Sequence, residues 1–269
     1  MGEGQPLPGG ERDSRSGGSA RMPVIYILGG IIGTAVAAST AGACEPAGFP
    51  VAIDVGHDRD RPGAFSARGA PEFEFNLALG REVLAALLAS GFSRSFLIGE
   101  RGSPIGLRER TAIAKRAGAR VFISIHHDSV QPRYLERWTF EGRMQEHTTH
   151  ARGFSLFVSA ANSFYAASKE LAIRIGSELR ARGRRPSVHH AEPIEGESRE
   201  LIDGLNGVHR FDDLVVLRSA AMPAVLLEAG VIKDREEELI VATRVFQTDV
   251  AGAVRRAVEQ ACGRGLPGY

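Results

Sequence analysis

Val121-Phe-Ile-Ser-Ile-His126-His127-Asp128 is the stretch on which the fold is decided. Its first five residues carry no charge and favour strands, with no alternation that would leave one face wet. Such a run reads as a strand buried on both faces, the kind found in parallel sheets. It ends on two imidazoles and a carboxylate. Two other runs share its form, Val51-Ala-Ile-Asp-Val-Gly56-His57 and Pro223-Ala-Val-Leu-Leu-Glu228-Ala-Gly230. In an open α/β sheet, ligands sit outside the carboxyl ends of the strands. Imidazoles and a carboxylate arriving there on different strands mark a site, with zinc and an activated water as the candidate chemistry.

Working outward, strands are expected at Val51–Val55, Ser95–Ile98, Val121–Ile125, Phe154–Val158, Leu214–Leu217 and Ala224–Leu227. Helical patterns lie between most of them. From Glu72 to Leu88, the residues Leu77, Val83, Leu84, Leu87 and Leu88 form an apolar stripe closed by Gly91. Leu107–Ala117, Ala167–Arg182 and Thr243–Cys262 also read as helices, the first two closed by Gly118 and Gly183. The alternation predicts a single α/β domain with a central, mostly parallel sheet of about six strands flanked by helices.

Two segments break the rhythm. Asp128–Gly153 leaves the carboxyl end of a strand and is expected to border the site. Gly183–Asp213 leaves a helix at the opposite edge and is long enough to reach back. It carries His189-His190, Glu192, Glu195 and Glu197. Segments of this length inside a domain serve as lids or binding loops, or are mobile surface loops.

The chain has 269 residues, enough for one sizeable core or two small ones, and 47–262 reads as one domain. A net charge of +1 gives no electrostatic reason to expect nucleic acid or an anionic membrane surface as a partner. Residues 1–20 are dominated by Gly, Ser, Pro and charge and cannot bury a core. From Met22 to Cys44 no residue is charged, and Ala41-Gly42-Ala43 closes the stretch. Residues 1–43 therefore read as a tail plus a signal sequence, or a membrane anchor, ahead of an exported domain. Any contact with a membrane would run through this segment. The two cysteines, Cys44 and Cys262, form no Cys-x-x-Cys motif. Three readings stand: a disulfide, a lipidated Cys44 of the bacterial lipoprotein kind, or two unpaired thiols.

A catalytic zinc takes three protein ligands and leaves a position open. His57 and His126 supply two nitrogens. Glu72 and Glu74 both open the first helix, but they differ by about 200° of rotation and cannot both face the site. Glu228 ends a third strand, where it could act as the base.

Ile53-Asp54-Val55-Gly56-His57, Gly63-Ala64, Glu72 followed by Asn76, Ser124-Ile125-His126-His127-Asp128 and Met222-Pro223-Ala224-Val225-Leu226-Leu227-Glu228-Ala229-Gly230 occur in that order. In this the chain resembles the zinc-dependent N-acetylmuramoyl-L-alanine amidases of the bacterial cell-division type, from about Val51 to Ala261. The resemblance implies that His57, Glu72 and His126 hold Zn2+ and that Glu228 is the catalytic glutamate. It chooses Glu72 over Glu74 because the family's glutamate lies four residues before the Asn matching Asn76. It implies peptidoglycan as substrate, cut between the lactyl group of N-acetylmuramic acid and L-alanine, and a periplasmic or cell-envelope location. In some relatives an inserted element blocks the zinc with a glutamate until an activator protein removes it. Glu192, Glu195 or Glu197 could play that part here.

Two other functions remain open at this point: a zinc peptidase acting on other peptides, and a non-catalytic wall-binding module. Four neighbouring roles are also open. His127 should face away from His126 and could touch substrate or support a ligand. Asp54 and Asp128 could orient the ligating imidazoles, or Asp54 could be a buried structural acid. His189-His190 could capture metal adventitiously. Arg218 could simply pair with a surface acid.

Overall fold

The computed structural model describes residues 44–269. The expected tail and signal sequence, residues 1–43, lie outside the described residues. The strands that the buried runs predict are β1 (Val51–Val55), β3 (Val121–Asp128) and β9 (Ala224–Val231), every position of β1 being buried. They stand side by side in parallel register, Asp54 against Ser124 and His126 against Glu228. With β2 (Phe96–Ile98), β6 (Ser155–Val158), β7 (Glu200–Asp203) and β8 (Val208–Arg210), they make a seven-stranded sheet of order β2-β1-β3-β9-β6-β8-β7. The sheet is mostly parallel, as expected; β6 runs antiparallel to β9, and β7 to β8.

Helices cover both faces because successive strand residues point to opposite sides. Val51, Ile53, Ile123, Val225 and Leu227 face α1 (Glu72–Ala89), α3 (Tyr165–Ala181) and α6 (Arg244–Arg264) in the larger core. Ala52, Phe122 and Leu226 face the smaller core under α2 (Leu107–Arg116) and α4 (Val215–Arg218). A short α5 (Glu237–Val241) follows β9. Among the described residues, no helix is long and apolar enough to cross a membrane.

Leu214–Leu217 is a correction: this apolar tetrapeptide is helical. A run this short fits a buried helical turn as well as a strand. Val216 and Leu217 cover the second core, and Asn162 Nδ2 ties the turn down by donating to the carbonyls of Leu217 (2.7 Å) and Met222 (3.2 Å). Its place in the sheet is taken by β7 and β8, both from the segment read as an irregular loop. Asp128–Gly153 likewise contains a hairpin, β4 (Glu136–Phe140) and β5 (Arg143–His147). The hairpin packs on the loop after β1, where Trp138 Nε1 donates to the Ala67 carbonyl at 2.9 Å.

Cys44 and Cys262 form a disulfide, Cα atoms 5.2 Å apart, joining the start of the domain to the end of α6. The Cys44 sulfur is thus engaged with Cys262 and carries no lipid in this structure. The bridge closes a loop with a sequence separation of 218. On the chain-entropy argument so long a loop is worth roughly 5 kcal/mol at most. Reduction under native conditions should lower the thermal midpoint by several degrees, and Cys44→Ser should reproduce the shift without reductant; equal midpoints would show that the bridge adds nothing to stability.

Candidate metal centre and its surroundings

The chain leaves β1 for β2 on one side and crosses to β3 on the other, so the strand order reverses between β1 and β3. A crevice opens at such a switch point, outside the carboxyl ends of the strands. His57 follows β1 there with φ 68°, a left-handed conformation that is uncommon for a residue with a side chain and that concentrates at functional sites. His126 arrives on β3. Between them lies Glu72, in the first turn of α1 and 4% exposed, while Glu74 is exposed.

His57 Nε2 lies 3.1 Å from Glu72 Oε2, and His126 Nδ1 lies 3.0 Å from Glu72 Oε1. Asn76 Nδ2 donates to Glu72 Oε1 (3.0 Å) and to the Gly56 carbonyl (3.2 Å), and Ala64 N donates to Glu72 Oε2 (3.1 Å). Burial alone would raise the Glu72 pKa, but the hydrogen bonds and charges of His126 and His57 overcome it and hold the carboxyl well below its usual range. Packing is tight enough that two glycines are required. A Cβ on Gly56 would come 2.3 Å from His126 Nε2, and one on Gly63 2.3 Å from Glu72 Oε2. One donor atom from each of His57, Glu72 and His126 lies within 4.8 Å of the other two. Two imidazoles and one carboxylate at this spacing, each ring restrained by packing, suit a zinc ion with a position left for water or substrate.

Glu228 lies on β9 in register with His126. Its Oε2 is buried and has no hydrogen-bond partner. Burial first, then the charges of Asp128 and Glu72, push its pKa well above the ordinary carboxylate range, with His190 opposing them. The protein itself thus gives the charged form of this side chain little support. From His57 and His126 a cleft of about 210 Å³ runs along Ile105, Leu107, Leu214 and Val215. The sequence places Leu107 at a helix start and Leu214 and Val215 in an expected strand, and nothing in those patterns marks them as walls of a cleft.

The neighbouring roles now separate. Asp54 orients neither imidazole. It is 1% exposed, accepts from Ser124 Oγ at 2.8 Å and pairs with Arg110 Nη1 at 2.7 Å. It is the structural acid of the two readings. Arg110 in turn donates to the carbonyls of Val55 (2.6 Å) and His57 (2.7 Å), fixing the backbone where it turns left-handed. His127 faces away from His126, as alternation requires, and its partner is Asn76 of α1. It is buried, its Nδ1 donates to Asn76 Oδ1 at 2.9 Å, and burial pushes its pKa down to about 4. Asp128 does not orient His126 either; it pairs with His190 at 2.8 Å. Arg218 lies 3.9 Å from Asp213 at the surface, the bland reading.

Two of the inserted segment's three candidate glutamates are engaged by other residues. Glu192 accepts from Tyr134 Oη (2.8 Å) and meets His150 Nε2 (2.6 Å), Glu197 accepts from Gln131 Nε2 (2.9 Å), and Glu195 is exposed. These bonds turn Glu192 and Glu197 away from the His57–Glu72–His126 cluster. The segment also supplies β7 and β8, so removing it would strip two strands from the sheet.

Comparison with known proteins agrees with this geometry. A family model described as N-acetylmuramoyl-L-alanine amidase matches residues 51–260. AmiA of Escherichia coli, named as an N-acetylmuramoyl-L-alanine amidase, is 25% identical over 230 residues, covering 77% of this chain and 74% of that protein. Two other curated relatives are longer, and the chain spans about half the length of each, 49% and 52%. Among solved structures, Ami1 of Mycobacterium smegmatis has a TM-score of 0.63 at 21% identity, covering 81% of this chain and 98% of that one. The CwlD amidase of Clostridioides difficile, solved in complex with the GerS lipoprotein, has a TM-score of 0.56 at 21% identity, covering 79% and 97%.

Asp54 and Arg110 are both buried, so losing one partner strands the other. Arg110→Met should cost about 3–5 kcal/mol in chemical denaturation, and the double replacement Asp54→Leu with Arg110→Met should recover most of that loss. A loss under 1 kcal/mol in the single variant would show that the pair does not hold the site.

Proposed function

We propose that this chain, which belongs to the N-acetylmuramoyl-L-alanine amidase family, is a zinc hydrolase that cuts the amide bond between N-acetylmuramic acid and L-alanine in peptidoglycan. The observation that carries this reading is the pairing of one donor set with one free base. Glu72 lies between His57 Nε2 and His126 Nδ1, and Glu228 Oε2, on the strand next to His126, has no partner of its own.

His57, Glu72 and His126 would hold the zinc. When bound, zinc supplies Lewis acidity toward the scissile carbonyl and the attacking water. The rest of the work belongs to the chain. Glu228 takes the proton lost by the water as its oxygen bonds to the carbonyl carbon. It returns that proton to the L-alanine nitrogen as the C–N bond breaks, a general acid–base contribution of roughly 10²–10⁴-fold. Asn76 and Ala64 hold the Glu72 carboxylate so that its oxygens keep their direction. Arg110 anchors the His57 carbonyl. The cleft along Ile105, Leu107, Leu214 and Val215 offers an apolar wall for the lactyl methyl and the alanine side chain.

An exported domain, periplasmic or otherwise in the cell envelope, fits a wall substrate. The Cys44–Cys262 disulfide supports an oxidising compartment, and a signal sequence within residues 1–43 would deliver the domain there. The complex of the CwlD amidase with GerS supports an accessory protein as a partner for this chain as well.

The test is release of stem peptides from purified peptidoglycan by the zinc-loaded chain. Wild type should release intact stem peptides and a chelator should stop it, while Glu228→Gln should lower turnover at least 10²-fold with its zinc content unchanged. Peptides cut within the stem would favour a peptidase. Binding without any release, in wild type and variant alike, would favour a wall-binding module.

A further inference from the structure

Outside the His57–Glu72–His126 cluster, the described residues bring a second set of metal-donor atoms within 4.8 Å of one another: Asp128, His189 and His190. Asp128 is the last residue of β3. The two histidines open a short helical turn, His189–Ala191, in the inserted segment. Both imidazoles direct Nε2 at the same carboxylate oxygen, Asp128 Oδ2, at 3.5 Å from His189 and 2.8 Å from His190. Asp128 Oδ1 is held separately, by the backbone N–H of Ser129 at 2.7 Å.

The far side of each ring is also specified. His189 Nδ1 meets Ser187 Oγ at 2.9 Å, and His190 Nδ1 meets Glu197 Oε2 at 2.9 Å. This is how metal-binding histidines are built: one ring nitrogen is engaged by an oxygen that fixes tautomer and orientation, leaving the other as the ligand. His189 is only 7% exposed, and its Nε2 is buried with no hydrogen-bond partner. A buried polar atom without a partner costs free energy unless something fills the place. Phe157 packs against the His190 ring, centroids 4.9 Å apart, and keeps that side of the site dry.

We propose that Asp128, His189 and His190 form a second site, for a divalent transition metal of the zinc class, which clamps the inserted segment onto the end of β3. Two imidazoles and a carboxylate select such an ion over calcium or magnesium, which prefer oxygen cages. In the free chain the His190–Asp128 bond needs a proton on Nε2; the cation takes that proton's place and supplies His189 Nε2 with the partner it lacks. The clamp joins two pieces of chain that the sheet alone leaves apart, since β3 and β8 are separated by β9 and β6. The assignment does not depend on the amidase reading.

The test is a zinc titration of the metal-stripped full chain, with bound metal counted directly. Wild type should take up two equivalents, and His189→Ala and His57→Ala should each take up one. One equivalent in wild type, lost in His57→Ala and kept in His189→Ala, would overturn the second site and leave the proposed function intact. One equivalent lost in His189→Ala and kept in His57→Ala would uphold this site and sink the zinc centre at His57. Should a variant fail to fold, crystals of the wild-type chain grown with Zn2+ decide the matter by anomalous scattering. A peak among Asp128, His189 and His190 upholds the site, and a peak at the first cluster only overturns it.

Discussion

The buried carboxylate of Glu72 is the constraint on which the rest of the site depends. An ionised carboxylate withdrawn from water costs several kcal/mol unless donors surround it. Its donors come from four parts of the fold: His57 after β1, Ala64 in the following loop, Asn76 one turn further along α1, and His126 with the backbone N–H of His127 on β3. Satisfying one anion therefore fixes the first helix against the two central strands. The glycines at 56 and 63 follow from the same crowding, since a side chain at either would occupy the space of the His126 ring or of the carboxylate itself. The imidazoles face each other because the anion is there, and the anion can be buried because the imidazoles are.

A second pair does comparable work on the other side of the sheet. Asp54 sits at the fourth position of β1, so alternation sends it toward α2 and away from Glu72. Arg110 neutralises it and uses its remaining donors on the carbonyls of Val55 and His57. The left-handed turn at His57 is thus held from below by a guanidinium and from above by a carboxylate. Neither pair alone would keep the imidazole aimed: one sets its backbone, the other its ring.

The strands that carry the site were legible because burial on both faces leaves no polar position except where chemistry needs one. Asp54, His126 and Glu228 stand out in β1, β3 and β9 for that reason. What a buried polar residue does is harder to read, because the sequence records its type and not its partner. Asp54 reads equally as a support for a ligand or as a structural acid, and only its pairing with Arg110, 56 residues away, decides for the second. His127 was placed on the correct face, but only the structure shows it locked to Asn76 beneath α1. Short elements failed for a different reason. Val215–Arg218 is too brief for either periodicity to register, and β7 and β8 are strands of four and three residues toward a sheet edge, where alternation has little length to appear in.

Three carboxylates converge near the carboxyl ends of β3 and β9, and their surroundings assign them different work. Glu72 is surrounded by donors and held ionised, so it cannot accept a proton without dismantling the site. Asp128 is committed to His190 and to the Ser129 amide. Glu228 has an oxygen that nothing in the protein satisfies, in a place where two anions make a third charge unfavourable. Of the three carboxylates Glu228 alone keeps an oxygen that no group in the protein has claimed, and this supports it as the proposed base. Its readiness to ionise then depends on the positive charge set on either side of it. The inserted segment bears on this, because its His190 opposes the two anions acting on Glu228. Glu192 and Glu197 tie that segment to the chain beyond β3, and Glu197 and Asp128 together hold the His190 ring, so the charge it carries has a fixed place in the fold.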